Sequence, residues 1–219
     1  MEKKNISKKA LIICNGKPPP DQLLFKLWKE TDFRVAADGG ANRLNTLDLV
    51  PDAVVGDFDS LSHDVKNQLS HSILFHIKEQ NTNDADKAVR HCLNKGFFEI
   101  FLIGADGRRQ DHFLSTLEIL FKYSSKARII LWTQLERMEF VFHTWKENLP
   151  IGTTVSILPI FGGAEDVSTN GLKFDVKNFT IQPGKPPSGV SNLVESNPVS
   201  INVKSGQLLV VVQLSDDFL

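Results

Sequence analysis

Between residue 10 and about residue 134 the chain repeats one pattern: a short apolar run, a break rich in Gly, Asn or Pro, then a stretch with helical spacing. The apolar runs are ALIIC (Ala10–Cys14), FRVAAD (Phe33–Asp38), DAVVG (Asp52–Gly56), HSILFHI (His71–Ile77), FFEIFLIG (Phe97–Gly104) and ARIILWT (Ala127–Thr133). Helical patterns stand between them at Asp21–Glu30, in GGANRLNTL, at Asn81–Gly96 and at Gln110–Ser124. Near-continuous apolar strands alternating with helices form a parallel sheet covered on both faces.

From about Glu136 the period changes to two. Val155 and Ile157 alternate with polar residues, as do Val199, Ile201 and Val203, and Leu208, Val210, Val212 and Leu214. In GLKFDVKNFTI the same spacing predicts a strand with Leu172, Phe174 and Val176 on one side. Lys204-Ser205-Gly206 reads as a turn, and QPGKPPSGVSN (Gln182–Asn192) as a long loop. The 219 residues therefore divide into a Rossmann-like α/β domain over 1–135 and a small all-β sandwich over 136–219.

A net charge of −1 gives no basic footprint for nucleic acid. No apolar run approaches the ~18 residues of a membrane span. Two cysteines, Cys14 and Cys92, make no disulfide framework and match no metal spacing. These features predict a cytoplasmic protein with no membrane partner.

Acids gather where the strands end. Asp38 closes the second strand, Asp57 and Asp59 follow the third, Asp84 opens a helix, and Asp106 and Asp111 follow EIFLIG. The carboxyl edge of such a sheet is where ligands bind, and helix N-termini there favour anions. Backbone amides of NGK (from Asn15), DGGANR (Asp38, Gly39, Gly40, Asn42, Arg43) and GADGRR (from Gly104) suit phosphate, as do Arg43, Arg108 and Arg109. Clustered carboxylates repel phosphate and one another. Magnesium resolves both conflicts, because it takes oxygen ligands from acids and phosphates together. In an extended chain Asp57 and Asp59 would point to the same side, roughly 7 Å apart at Cα, with Gly56 leaving clearance. The chemistry predicted is metal-assisted phosphoryl-type transfer on a nucleotide.

ADGGANRL, PDAVVGDFDSL, NTNDADKAV, GADGRRQDH and GVSN, in that order, resemble the motif set of the thiamine pyrophosphokinase family. The resemblance implies pyrophosphoryl transfer from ATP to the hydroxyl of thiamine, giving thiamine diphosphate and AMP. It also implies an α/β domain, a β-sandwich and a homodimer. Asp57, Asp59 and Asp84 fall at its magnesium-binding and catalytic acids, and Arg109 and Asp111 at its Arg-x-Asp. Asp38, Gly39, Gly40, Asn42 and Arg43 match an ATP-site segment, Gln80 a nucleotide contact, and Ser191 and Asn192 the pair that meets thiamine. Asn81 and Asn83 stand where the family commonly has Asp and Thr, Arg108 replaces a usual Gly, and an aromatic often found near the C-terminus is missing. Two rival readings are a magnesium-dependent nucleotide hydrolase and a non-catalytic nucleotide- or thiamine-binding regulator.

Overall fold

The computed structural model describes residues 8–69, 73–79, 81–107 and 109–214. They fall into two compact units that meet in sequence between Gln134 and Leu135.

The first unit holds β1 (Lys9–Ile13), α1 (Asp21–Glu30), β2 (Phe33–Ala37), α2 (Gly40–Asn45), β3 (Ala53–Gly56), α3 (His63–Gln68), β4 (Ile73–His76), α4 (Asp84–Asn94), β5 (Glu99–Ile103), α5 (Gln110–Tyr123) and β6 (Arg128–Trp132). Its strands lie in the order β6-β5-β1-β2-β3-β4, all neighbours parallel. Ala10 through Ile13 are at most 1% exposed, so β1 is covered on both faces. Helix α3 carries no apolar stripe visible in sequence. It starts because the Ser62 hydroxyl accepts from the Val65 amide, and it buries Val65 alone. Asn83 caps α4 in the same way, accepting from the Asp86 amide at 2.9 Å.

The second unit holds β7 (Glu136–Val141), β8 (Thr144–Glu147), β9 (Thr154–Leu158), β10 (Ala164–Asn170), β11 (Phe179–Ile181), β12 (Asn192–Leu193), β13 (Val199–Asn202), β14 (Ser205–Gly206) and β15 (Leu208–Gln213). Strands β12-β9-β15-β7 form one antiparallel layer and β11-β10-β13-β8 the other, with β14 added beside β10. Val155, Ile157, Val210 and Val212 from the first layer share a core with Trp145, Val167, Val199 and Ile201 from the second, which makes a sandwich. Ser205-Gly206, expected as turn, therefore pairs as a short strand.

The strand expected through Leu172, Phe174 and Val176 does not form. The Asp175 carboxylate accepts from Thr169 Oγ1 at 2.7 Å, from the Gly171 amide at 3.1 Å and from the Leu172 amide at 3.2 Å. These local bonds fold the chain back on itself, and a side chain that bonds its own neighbourhood competes with a ladder. Leu172 is buried, while Phe174 stands 67% exposed on the turn. No helix among the described residues is long and apolar enough to cross a membrane.

Candidate active site

The strand order reverses direction between β1 and β5, and a cleft of about 280 Å³ opens there. Its walls come from the residues just past β1 (Cys14, Asn15, Gly16), β2 (Asp38, Gly39) and β5 (Gly104, Ala105, Asp106), with Asn83 and Asp84 from the start of α4. Arg109, His112 and Thr116 add the first turns of α5. Such a reversal separates the loops that leave neighbouring strand ends, which is why open α/β sheets bind ligands there. The loops are stitched tightly: the Gly16 amide donates to the Gly104 carbonyl at 2.6 Å and the Lys17 amide to that of Asp106 at 2.7 Å. A side chain at Gly39 would collide with Asn15, and one at Gly40 with the Ile13 carbonyl. Cys14 backs the cleft, and burial pushes its thiol up to about 12, too high for a thiolate nucleophile.

Carboxylate oxygens of Asp38, Asp57 and Asp59 lie within 4.8 Å of one another. They do not converge through an extended chain. Phe58 adopts φ 66°, and its ring packs between His76 (centroids 5.2 Å apart) and Lys66 Nζ (5.6 Å away). That left-handed residue turns Asp59 back, so that its amide donates to Asp57 Oδ1 at 3.3 Å. Asp38 joins them because β2 and β3 are neighbours: its amide donates to the Val55 carbonyl and its Oδ2 accepts from the Ser60 amide at 3.0 Å. Asn42 ties down the same loop, donating to the Ser60 carbonyl at 2.8 Å and accepting from the Ser62 amide at 3.0 Å.

Asp38 is 3% exposed, and its Oδ1 has no hydrogen-bond partner among the described residues. Burial pushes its carboxyl from 3.8 up to about 6; the Ser60 amide opposes this, and the charges of Asp84 and Asp59 add to it. An unpartnered buried oxygen beside two further carboxylates fits a hard cation, whose opposed ligands stand roughly 4.2 Å apart around a 2.1 Å magnesium shell. Gly56 provides the room: a Cβ there would lie 2.8 Å from Asp38 Cβ and 3.2 Å from Asp84 Oδ1.

Asp84 sits beside this group, lining the same cleft as Asp38. Its Oδ1 accepts from Lys87 Nζ at 2.9 Å, and the same ammonium lies 4.0 Å from Asp57 Oδ2. Lys87 is 2% exposed and is the buried cation of the cluster. Sequence reasoning passed over it, although its place three residues after Asp84 on a helix was the available signal.

Arg109 precedes α5 and bonds Asp111 through Nε at 3.1 Å and Nη2 at 2.5 Å; both side chains are mostly exposed. The guanidinium holds the Asp111 carboxyl below its ordinary range. Arg43 does not line the cleft: it pairs with Asp21 of α1 and donates to Thr46 Oγ1 at 3.3 Å. Gly40 lies one residue behind the wall as the first residue of α2. Gln80 and Arg108 lie outside the described residues. Ser191 and Asn192 belong to the second unit. The Ser191 amide donates to Ser156 Oγ, and Asn192 brackets Phe174 with two backbone bonds.

A parallel sheet with its cleft at the strand-order reversal, an acidic group fitted to a cation and a helix start bearing Arg109 define an α/β protein that handles phosphorylated ligands. Comparison with known proteins narrows the class. Residues 24–131 match the family model of the thiamin pyrophosphokinase catalytic domain, and residues 142–208 that of the thiamin pyrophosphokinase vitamin B1 binding domain. The thiamine pyrophosphokinase of Saccharomyces cerevisiae is 37% identical over 86% of this chain and 78% of its own. Thiamin pyrophosphokinase 1 of Caenorhabditis elegans is 27% identical over 94% and 89%. The chain belongs to the thiamine pyrophosphokinase family, whose members are transferases. Solved thiamin pyrophosphokinases from Geobacillus thermodenitrificans (TM-score 0.83, 23% identity, 96% of this chain and all of that one) and Bacillus subtilis (TM-score 0.81, 22%, 95% and all) share its fold.

Proposed function

We propose that this chain moves the pyrophosphoryl group of ATP to the hydroxyl of thiamine, releasing AMP and forming thiamine diphosphate, with the first unit holding ATP and the second thiamine. The observation that carries the proposal is the meeting of the Asp38, Asp57 and Asp59 carboxylates, with Asp38, whose buried Oδ1 is unpartnered among the described residues, lining a cleft walled by strand-end loops. Asp38, Asp57 and Asp59 would hold magnesium, with Asp84 behind them on Lys87. A cation there supplies neutralisation of phosphate charge.

The protein's own groups then position and balance. ATP phosphates lie against the loops at Asn15, Gly39 and Gly104 and at the N-terminus of α5, where unpaired amides favour anions. Arg109 leaves Asp111 for a phosphate oxygen and offsets charge as the thiamine oxygen bonds to the β-phosphorus and the bond to AMP breaks. The hydroxyl proton passes to a carboxylate. Asp111, freed as Arg109 moves to phosphate, and Asp59 are the two carboxylates that could take it. Ser191 and Asn192 present thiamine from the second unit. The working form is a cytoplasmic homodimer.

The test is AMP release with ATP, magnesium and thiamine, each omitted in turn. AMP should form only with all three. Equal AMP without thiamine would make the protein a hydrolase, and saturable ligand binding without AMP a regulator.

A further inference from the structure

Carboxylates gather at the ends of β2 and β3 and the start of α4, and one fixed ammonium lies among them. Lys87 Nζ donates to Asp84 Oδ1 at 2.9 Å and stands 4.0 Å from Asp57 Oδ2. Asp57 therefore belongs to two acidic groups at once. One is with Asp38 and Asp59, whose oxygens lie within 4.8 Å of its own; the other is with Asp84, across the ammonium. Asp57 and Asp84 are 31% and 30% exposed, whereas Lys87 is 2% exposed. The acids reach solvent and the ammonium does not. Helix α4 keeps it there: the Lys87 amide donates to the Asn83 carbonyl at 3.1 Å in the capped first turn, and the helix packs on β2 and β3. An ammonium at that depth persists only where carboxylates answer it, and it cannot depart as an ion can.

Phosphoryl-transfer sites that use two metal ions set them about 3.5–4 Å apart, so that neighbouring acids serve both. Here Asp38, Asp57 and Asp59 offer oxygens for one hard cation, and the adjoining pair, Asp57 and Asp84, is already answered by Lys87. We propose that Lys87 stands in for a second metal ion, so that the resting protein takes a single divalent cation. This rests on the reading of Asp38, Asp57 and Asp59 as the magnesium site. Lys87 is then a positioning residue: it fixes Asp84, screens Asp57 and sets how many ions the acids accept. Its charge is part of the chain and stays when products depart, whereas any further magnesium must arrive and leave with the nucleotide.

The test counts manganese(II) bound to the full chain without nucleotide, from the loss of the free-ion signal in electron paramagnetic resonance, with folding followed by circular dichroism. The parent should bind about one ion per chain. Lys87→Met opens the pair of Asp57 and Asp84 and should bind about two, close enough for spin coupling to broaden the bound signal. Lys87→Met combined with Asp84→Asn removes one charge of each sign and should return to about one ion. Two ions on the parent or on the double variant, or one ion on folded Lys87→Met, overturns the proposal. If Lys87→Met does not fold, the counts on the parent and the double variant decide it. No manganese on the parent would instead remove the metal reading beneath it.

Discussion

Gly56→Ala probes the geometry of the acidic group with one methyl. The added carbon would lie 2.8 Å from Asp38 Cβ and 3.2 Å from Asp84 Oδ1. Carbon atoms settle at about 3.5–4.0 Å, so Asp38 or the strand must give by nearly ~1 Å. Gly56 is fully enclosed at the end of β3, and β2 is pinned by its ladder to β1 and β3. Overpacking at such a site costs about 1–3 kcal/mol. The catalytic cost is larger, because a ~1 Å displacement of a positioned group loses about 100-fold in rate. Two measurements read the two effects: the urea midpoint of the magnesium-free protein, and initial rates of AMP formation against magnesium concentration. The midpoint should fall and the magnesium requirement rise together. A variant with an unaltered midpoint and an unaltered magnesium KM would show that Asp38 does not need its present place, and the clearance argument would fail.

Asp57→Asn and Asp59→Asn should each lose roughly 100-fold or more in kcat at saturating magnesium, as groups that answer transition-state charge do; near-full activity of both would remove them from the site. The metal-free protein should lose stability as pH rises from about 4 to about 6. Folded Asp38 keeps its proton to about 6, whereas the unfolded carboxyl gives it up near 3.8. The native state therefore binds more protons in that window, and the gap is worth about 3 kcal/mol. Urea titrations in chelator should show this slope, and Asp38→Asn should flatten it. Lys87→Met leaves half-buried Asp84 without its ammonium and should destabilise by about 1–3 kcal/mol, with most of that recovered in the double variant Lys87→Met, Asp84→Asn. A single variant as stable as the parent would show that the pair contributes nothing.

Much of the first unit was legible because buried parallel strands leave continuous apolar runs, and acids at their ends have no packing role. Asp57 and Asp59 were found that way, but by the wrong local geometry. Phe58 is what turns them together, and no periodicity announces a left-handed phenylalanine held between His76 and Lys66. Asp38's place with them depends on which strands are neighbours, and sequence order does not state that. Lys87 was hidden because a lysine in a helix reads as a solvated face. Phe174 was misplaced because alternation alone cannot see Asp175 bonding back to Gly171 and Leu172. Arg43 matched a motif, yet its guanidinium serves Asp21. Lys87 and Asp175 are cases in which a side chain bonds a neighbouring carboxylate or the backbone, an event that spacing does not record.

The most direct measurement follows the label from ATP carrying radioactive phosphorus at the β position, with magnesium and thiamine present. The β-label should appear in thiamine diphosphate in step with unlabelled AMP, and Asp57→Asn or Asp59→Asn should abolish both. Label recovered in ADP, or in inorganic phosphates at a rate indifferent to thiamine, would contradict pyrophosphoryl transfer at this edge of the sheet.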